Sequence, residues 1–220
     1  MTPESSLVLY HVAPRQVRIK REPVLDLQGG ELLVQTRYSG ISPGTETLIY
    51  RGEFPSELMF DETLPALIGQ TGYPVKYGYS AVGEVIKAGS SELSDWIGRL
   101  VFAFNPHEEF FTADPADLIL VPDDIPGEDA VFLSNMETAV NLVMDGMPMV
   151  GERVIIFGQG IVGLLTTGIL ARFPLDLLLS LDKYPSRRKA SIEVGAVECF
   201  DPEGAGTPKK LAVLLPKGAD

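Results

Sequence analysis

Short runs of apolar and β-branched residues, separated by turn residues, fill the first half of the chain. Between Leu7 and Pro122 the runs read LVLYHV, QVRIKR, ELLVQTRYSGIS, YSAVGEVIKAG, GRLVFAF and DLILVP. This spacing is typical of a compact, mostly antiparallel barrel or sandwich. Residues 43–79, between the third and fourth runs, are rich in Gly, Pro and Thr, which predicts a long loop of the kind that often carries function.

The pattern changes after Pro126. Ser134 and Glu137 form an S-x-x-E capping box, which predicts a helix that ends near Gly146. The continuous apolar run ERVIIFG, the apolar helix IVGLLTTGILARF and a second run, LDLLLSLD, then form a βαβ unit with buried parallel strands. A polar helix, YPSRRKASIEVG, and a short strand, AVECFD, continue the winding. The sequence therefore predicts two domains, residues 1–126 and residues 127–220.

Charge and composition exclude several classes of partner. The formal net charge of the 220 residues is −12, which repels phosphate backbones and anionic lipid head groups, so we expect neither nucleic acid nor a membrane. The longest apolar stretch, Ile161 to Leu170, is shorter than the roughly 20 residues that cross a bilayer. Cys199 is the only cysteine, which favours a reducing compartment, and we expect no signal peptide, because the N-terminus lacks a basic segment followed by an apolar core. We therefore expect a cytoplasmic protein.

A glycine-rich turn carries the strongest functional signal. Residues 158–163 read GQGIVG, a G-x-G-x-x-G match that follows a predicted strand and opens a predicted helix. Such glycines permit a tight turn, let backbone amides approach a pyrophosphate and allow close helix packing, while Asp182 at the end of the next strand would hold ribose hydroxyls. Alternatively, the glycines only shape the turn. The predicted cofactor contacts are Gly158, Gln159, Gly160, Ile161, Val162, Gly163, Asp182, Lys183 and Arg187.

The acidic residue also bears on the choice of cofactor. A carboxylate at position 182 repels the 2′-phosphate of NADP and so favours NAD. Lys183, Arg187 and Arg188 lie close enough in sequence to soften this preference, which leaves NADP possible. We predict NAD as the cofactor.

Two segments of the first half resemble a known family. Together with the glycine fingerprint, YSGISPGTE (residues 38–46) and GYSAVGEV (residues 78–85) resemble the medium-chain dehydrogenase/reductase superfamily, whose best-known members are zinc alcohol dehydrogenases. The resemblance spans nearly the whole chain. It implies an α+β two-domain fold, with a GroES-like β-barrel substrate domain followed by an incomplete α/β Rossmann domain.

The positions that bind zinc in this family are changed. Ser42 matches the family's first zinc-binding cysteine, with one extra residue following it, and Tyr79 and Ser80 match its His-Glu pair. Glu137 stands where many relatives place a third ligand. Because hydroxyl groups are poor zinc ligands at neutral pH, the chain resembles a zinc-free branch, and we expect no metal.

The resemblance also implies catalytic candidates. Thr45, in the GTE segment, corresponds to a proton-relay hydroxyl, and Ser42 and Tyr79 would donate hydrogen bonds from the former metal positions. His107 is a further candidate, as a general acid or base. Each has an ordinary alternative: the two turn hydroxyls bond their own backbone, Tyr79 is a core aromatic, and His107 is a surface residue.

These observations predict an oxidoreductase that transfers a hydride between NAD and an alcohol or carbonyl substrate without zinc. The alternatives are an NADP-dependent quinone or enoyl reductase, and a dinucleotide-binding protein without catalysis. The segments YSGISPGTETLIYRG and GYPVKYGYSAVGEV are also similar to bacteriochlorophyllide dehydrogenases. The chain stops where a fourth Rossmann strand is expected, so we expect a C-terminally truncated fragment, inactive or unstable by itself, of an enzyme that is a homodimer at full length.

Overall fold

The computed structural model describes residues 3–24, 26–53 and 72–220. The chain divides into two compact units, Met1–Leu133 and Ser134–Asp220. The boundary predicted between residues 126 and 127 lies a short way before this division. Residues 54–71 of the predicted long loop lie outside the described residues, and its flanks contain one helix, α1 (Thr45–Arg51), and one short strand.

The first unit contains two antiparallel sheets. One has three strands in the order β2-β1-β4, and the other has five in the order β7-β3-β5-β6-β8. The predicted β-rich architecture is therefore present. The strands are β1 (Ser5–Ala13), β2 (Gln16–Pro23), β3 (Leu32–Ser39), β4 (Val75–Lys76), β5 (Ala81–Ala88), β6 (Leu100–Ala103), β7 (Phe110–Ala113) and β8 (Leu118–Leu120).

A short segment just before β7 joins the two sheets. The backbone N–H of Leu9 in β1 donates to the carbonyl of His107 at 2.9 Å, and the N–H of Glu109 donates to the carbonyl of Leu7 at 2.8 Å. On its other side, the N–H of Thr36 in β3 donates to the carbonyl of Glu109 at 3.0 Å. This segment therefore lies between β1 and β3, and its backbone is fixed from both sides.

Alternating side chains cover both faces of the five-stranded sheet. Val101 and Ala103 of β6 pack into one cluster with Leu32 and Phe111, whereas Phe102 packs on the opposite face. Successive side chains of a strand point to opposite faces, so this alternation buries both sides of the sheet. The second cluster contains Val82, Phe102, Val121 and Val131.

The second unit contains the predicted βαβ unit, which forms the first part of its parallel sheet. The strands β9 (Arg153–Phe157), β10 (Leu177–Leu181) and β11 (Glu198–Phe200) are parallel and lie in the order β11-β10-β9. The helices α4 (Ile161–Leu170) and α5 (Pro185–Glu193) connect them, and α6 (Thr207–Leu214) follows. In the described part of the chain, no helix has the length and apolar character needed to cross a membrane.

The capping box predicted at Ser134 is not formed. A short helix, α2 (Gly127–Ala130), is followed by Val131 in helical conformation, and α3 (Leu133–Gly146) already includes Ser134. A capping serine needs non-helical backbone before the first turn, and here the preceding backbone is helical. The buried hydroxyl of Ser134 has no hydrogen-bond partner among the described residues.

We predict that Leu32→Ala destabilises the first unit by about 2–5 kcal/mol, because it leaves a cavity in a fully buried position. Leu120→Ala, at a leucine that is 43% exposed, should cost far less and serves as the matched control. Urea unfolding monitored by the fluorescence of Trp96, the only tryptophan, which packs against the same cluster, measures both. Equal losses in the two variants would contradict this description of the core.

Candidate functional site

The glycine turn of the second unit connects β9 to α4. Gly158 has a left-handed backbone with φ of 88°, a conformation that favours glycine. A Cβ atom on Gly163 would lie 2.0 Å from the carbonyl oxygen of Gly158, so only glycine allows this approach. A Cβ atom on Gly160, by contrast, would meet no atom within 4 Å. Packing therefore requires Gly163, whereas Gly160 leaves open space in front of the backbone at the start of α4.

The buried side chain of Gln159 stabilises this turn by hydrogen bonds. The residue is fully buried, and its Nε2 donates to the carbonyl of Gly158 at 3.1 Å. The hydroxyl of Thr167 lies 3.0 Å from its Oε1 and 2.7 Å from the carbonyl of Gly163. Ile161 and Val162 begin α4, where the first N–H groups of a helix have no partner within the helix. The turn is thus rigid, and its helix end favours an anion.

Asp182 lies just after β10 and holds the same turn. Its carboxylate accepts from the backbone N–H of Gln159 at 2.8 Å and from that of Tyr184 at 2.7 Å. Burial raises the pKa of Asp182, but these two hydrogen bonds and Arg187, 3.7 Å away, outweigh it and lower the pKa below its ordinary value. The carboxylate is therefore ionised at neutral pH, and its remaining lone pairs can accept from hydroxyl groups.

Two cations flank the ring of Tyr184 beside this carboxylate. The Nζ of Lys183 lies 5.2 Å from the ring centroid, and the guanidinium of Arg187 lies 4.9 Å from it. Arg188 differs, because its guanidinium binds the carbonyls of Asp182 and Lys183 and the carboxylate of Asp201. Arg188 is thus engaged in holding the chain, whereas Lys183 and Arg187 lie beside the carboxylate on the surface.

A second cluster, in the first unit, links a hydroxyl, an imidazole and a carboxylate. The hydroxyl of Ser39 forms a hydrogen bond with Nδ1 of His107, and Nε2 of His107 lies 2.8 Å from Oε2 of Glu46. The other oxygen of Glu46 accepts from the backbone N–H of Ser42 at 2.7 Å. Because an ionised carboxylate only accepts hydrogen bonds, Nε2 of His107 is the donor to Glu46, and Nδ1 is left to interact with the hydroxyl of Ser39. We call Ser39, His107 and Glu46 the relay cluster.

The fold positions each member of the relay cluster. Ser39 ends β3, and the His107 backbone is fixed between β1 and β3. Gly78, with φ of 141°, leaves room for the imidazole, because a Cβ atom there would lie 3.1 Å from its ring. Glu46 is buried in the first turn of α1, where the helix dipole favours a negative charge. Ser39 is exposed, so a proton could enter or leave the cluster through its hydroxyl.

The other predicted catalytic residues lie around the relay cluster without joining its chain of side-chain hydrogen bonds. Ser42 contributes its backbone N–H to Glu46, and Thr45 is exposed at the start of α1. Tyr79 packs edge-to-face on Tyr77, with ring centroids 6.2 Å apart. Within residues 3–24, 26–53 and 72–220, no three His, Cys, Asp or Glu side chains converge in a way that could hold a metal ion.

Sequence reasoning missed Ser39 and Glu46. His107 stands beside two glutamates in sequence, but Glu108 contacts Lys76 and Asn105, and Glu109 accepts from the N–H of Leu7. The partner that the imidazole uses lies in another element, and the only signal for it was the acidic residue in GTE. Glu46 thus became a candidate only through the structure.

A cavity of about 300 Å³ lies beside the relay cluster in the first unit. Glu46 and His107 form part of its wall, together with a second histidine, His11. The remaining lining is mostly apolar and consists of Leu9, Val17, Ile41, Thr47 and Tyr50. Its volume lies at the lower end of the range for small-molecule sites, and its wall combines apolar side chains with a few polar ones.

Comparison with known proteins finds dehydrogenases. No family model matches the chain. D-guloside 3-dehydrogenase of Shigella flexneri is 22% identical over 225 residues, which cover 96% of this chain and 64% of that protein. The chain thus spans less than two thirds of the length of this relative. The 2-desacetyl-2-hydroxyethyl bacteriochlorophyllide A dehydrogenase of Cereibacter sphaeroides is 35% identical over 75 residues, 34% of this chain and 20% of that protein.

Solved structures show the same fold. A protein of Escherichia coli CFT073 described as a short chain alcohol dehydrogenase, complexed with NADH, superimposes with a TM-score of 0.77 at 18% identity, covering 96% of this chain and 67% of that one. A protein of Sinorhizobium meliloti 1021 described as a putative zinc-binding dehydrogenase, bound to NADP, gives a TM-score of 0.74 at 18% identity, covering 98% of this chain and 67% of that one. The chain therefore shares the fold of these proteins over the part that it covers.

We predict that Gly163→Ala destabilises the turn between β9 and α4 by more than about 1 kcal/mol, because the added Cβ collides with backbone. Gly160→Ala, at a position with φ of −72° and open space, should change stability by less than about 0.5 kcal/mol. Hydrogen exchange of peptides from α4, measured by mass spectrometry, reports the opening of this turn. The same protection in both variants would show that the close approach at Gly163 is not rigid.

Proposed function

We propose that the chain belongs to the medium-chain dehydrogenase/reductase superfamily and forms part of an NAD-dependent dehydrogenase that works without zinc; its similarity to dehydrogenases in sequence and fold supports this. The enzyme would transfer a hydride between the nicotinamide and an alcohol or carbonyl substrate. The observation that carries this proposal is the relay cluster, which would supply acid–base chemistry beside a cavity of about 300 Å³. Ser39 lines a neighbouring cavity of about 180 Å³ together with Leu9 and His107, and from there its hydroxyl would contact the substrate.

The proposal assigns each unit a domain type. Met1–Leu133 would be the GroES-like substrate domain, which its two antiparallel sheets support. Ser134–Asp220 would be part of a Rossmann domain, which the parallel order β11-β10-β9 and the glycine turn support. This order corresponds to the 3-2-1 half of a dinucleotide-binding sheet.

Residues of the glycine turn would hold the dinucleotide. The N–H groups at the start of α4 would bind the pyrophosphate, and the open space at Gly160 would let it approach the backbone. The carboxylate of Asp182 would accept from the ribose hydroxyls, and its charge would disfavour a 2′-phosphate. NAD supplies the hydride acceptor when it is bound.

The relay cluster would move the proton in the same reaction. As the substrate alcohol is oxidised, its hydroxyl proton would pass to the oxygen of Ser39, while the Ser39 proton passes to Nδ1 of His107. The buried carboxylate of Glu46 would stabilise the imidazolium that forms and hold the ring in place. In the reverse direction, the same groups would donate a proton to the carbonyl oxygen.

The donor groups at the former zinc positions do not suit zinc. Ser42 and Tyr79 offer neutral hydroxyl groups, and Tyr79 packs against Tyr77. The carboxylate of Glu46 is already bonded to His107 and to the N–H of Ser42. We therefore assign the polarisation of the substrate oxygen to hydrogen-bond donors of the relay cluster.

We predict that the protein, expressed from its complete gene, binds NADH more tightly than NADPH, by about tenfold or more, which corresponds to at least ~1.4 kcal/mol. Replacement of the carboxylate in Asp182→Asn should narrow this difference, because the repulsion of a 2′-phosphate is lost. Titration by the fluorescence of the bound reduced nucleotide measures both affinities.

Asp176→Asn is the matched control, because Asp176 is an exposed aspartate that pairs with Arg153 and should leave the nucleotide preference unchanged. Circular dichroism would verify that both variants fold. If neither nucleotide binds, the glycine turn is only structural and the dehydrogenase proposal falls. Tighter binding of NADPH would favour the reductase alternative, with Lys183 and Arg187 holding the phosphate.

We predict that Ser39→Ala, Glu46→Gln and His107→Gln, each made in the protein expressed from its complete gene, lower its turnover by about 10²- to 10⁴-fold, because each breaks the proton path. The variants should still bind NADH. Turnover would be followed by nucleotide absorbance with the best substrate from a screen of secondary alcohols, polyols and ketones. Thr45→Val distinguishes the two candidate relays. If Thr45→Val abolishes turnover and His107→Gln does not, the proton moves through Thr45 and the relay cluster is structural.

A further inference from the structure

A further cavity of the first unit, of about 390 Å³, takes no part in the proposed reaction. None of the three residues of the relay cluster borders it. Its volume is within the range of small-molecule sites. The polar side chains on which its chemistry depends are those of Glu22, Lys76, Asn105 and Glu108.

Asn105 supplies this lining with an acceptor that has no partner. Only 7% of the residue is exposed, and its Nδ2 donates to the carbonyl of Pro106 at 3.0 Å and to Oε1 of Glu108 at 3.1 Å. These two acceptors fix the orientation of the amide, because only its NH₂ group can donate. The Oδ1 atom has no hydrogen-bond partner among the described residues, but, unlike the ring nitrogens of His11, it is open to solvent. A donor that enters the cavity can therefore reach it.

The charges of the lining are unequal. The Nζ of Lys76 lies 2.7 Å from Oε2 of Glu22 and 3.4 Å from Oε2 of Glu108. Burial raises the pKa of Glu22, but hydrogen bonds from Lys76 and Tyr10 and the charges of Lys76 and Lys20 outweigh it and lower the pKa. Lys20 lies outside the lining. Among the described lining residues, two glutamates therefore face one lysine, and the formal charge is −1.

These features narrow the chemistry of a ligand. The free acceptor of Asn105 and the carboxylate of Glu108 lie side by side, because Nδ2 of the same amide contacts Glu108. A group with several N–H donors can bond to both, and the excess of negative charge favours a cation. Val8, Phe110 and Phe111 add apolar surface, which suits an alkyl or aryl body. The net charge of −12 on the chain also attracts cations from solution.

We propose that this cavity binds a small organic amine in its protonated form, with the ammonium group at Asn105 and Glu108 and the apolar body against Val8 and Phe111. The ammonium group would donate to Oδ1 of Asn105 and balance the second carboxylate of the lining. This site goes beyond the proposed function, because binding there needs neither a nucleotide nor the relay cluster.

Para-fluorobenzylamine is a suitable probe, because it is protonated at neutral pH and joins an ammonium group to an apolar ring. Para-fluorobenzyl alcohol has nearly the same shape without the charge and is the matched control. Each would be titrated against the protein expressed from its complete gene and followed by the ¹⁹F NMR signal of the probe. We expect saturable binding of the amine, and an affinity for the alcohol that is about threefold lower or less, as for the loss of one partly exposed ion pair. Added salt should weaken the binding of the amine more than that of the alcohol.

Matched variants test the position of the site. Glu108→Gln removes one carboxylate of the lining and should weaken the binding of the amine by about two- to fivefold. Glu92→Gln, at an exposed glutamate outside the lining, changes the net charge equally and should have no effect. Pro23→Trp, at an exposed position of the lining, should fill the cavity and abolish saturable binding, whereas Ile119→Trp, 46% exposed and outside the lining, should not. Asn105→Leu should weaken the binding of the amine by about threefold or more, because the free acceptor is lost.

Absence of saturable binding, or equal affinities for the amine and the alcohol, would overturn the proposal. Equal losses in Glu108→Gln and Glu92→Gln would also overturn it, since the amine would then respond only to the charge of the whole protein. Unchanged binding in Pro23→Trp would show that the probe binds elsewhere, whether or not Asn105→Leu folds. The experiment contains no nucleotide, so failure of amine binding and failure of NADH binding are separate results.

Discussion

The paired backbone of residues 107–109 is the constraint on which the first unit depends. It bonds to β1 on one side and to β3 on the other, so it joins the two sheets. The same bonds fix His107 at the end of β3, within reach of Ser39. The position of the imidazole therefore follows from sheet pairing rather than from a loop, which holds it beside Ser39.

The second unit uses a different constraint, the close approach of Gly163 to the carbonyl of Gly158. Gln159 and Asp182 support this approach from two directions, one with a buried side chain and the other with a carboxylate that accepts backbone N–H groups. The residue to which we assign the discrimination between NAD and NADP is therefore also part of the turn. A substitution at Asp182 changes the shape of the site as well as its charge, which is why stability must be measured together with affinity.

Local patterns were readable from the sequence, and contacts between distant residues were not. The βαβ unit and the glycine turn depend on neighbouring residues, so periodicity and glycine spacing predicted β9, α4 and β10. The relay cluster joins β3, α1 and the segment before β7, and no local pattern links Ser39 or Glu46 to His107. Ser134 shows that a local pattern can also mislead. The capping motif at Ser134 predicted the start of a helix, but the backbone before it is already helical, so no cap forms.

The two histidines of the chain border one cavity but have opposite surroundings. His107 has a partner on each nitrogen, including a buried carboxylate, so it can accept a proton without an unpaired charge being left in the interior. His11 has no partner among the described residues, and burial lowers its pKa, so it stays neutral. A positive charge on the ring is thus stabilised at His107 only. The surroundings of each histidine, rather than the residue type, decide which of the two is suited to proton transfer.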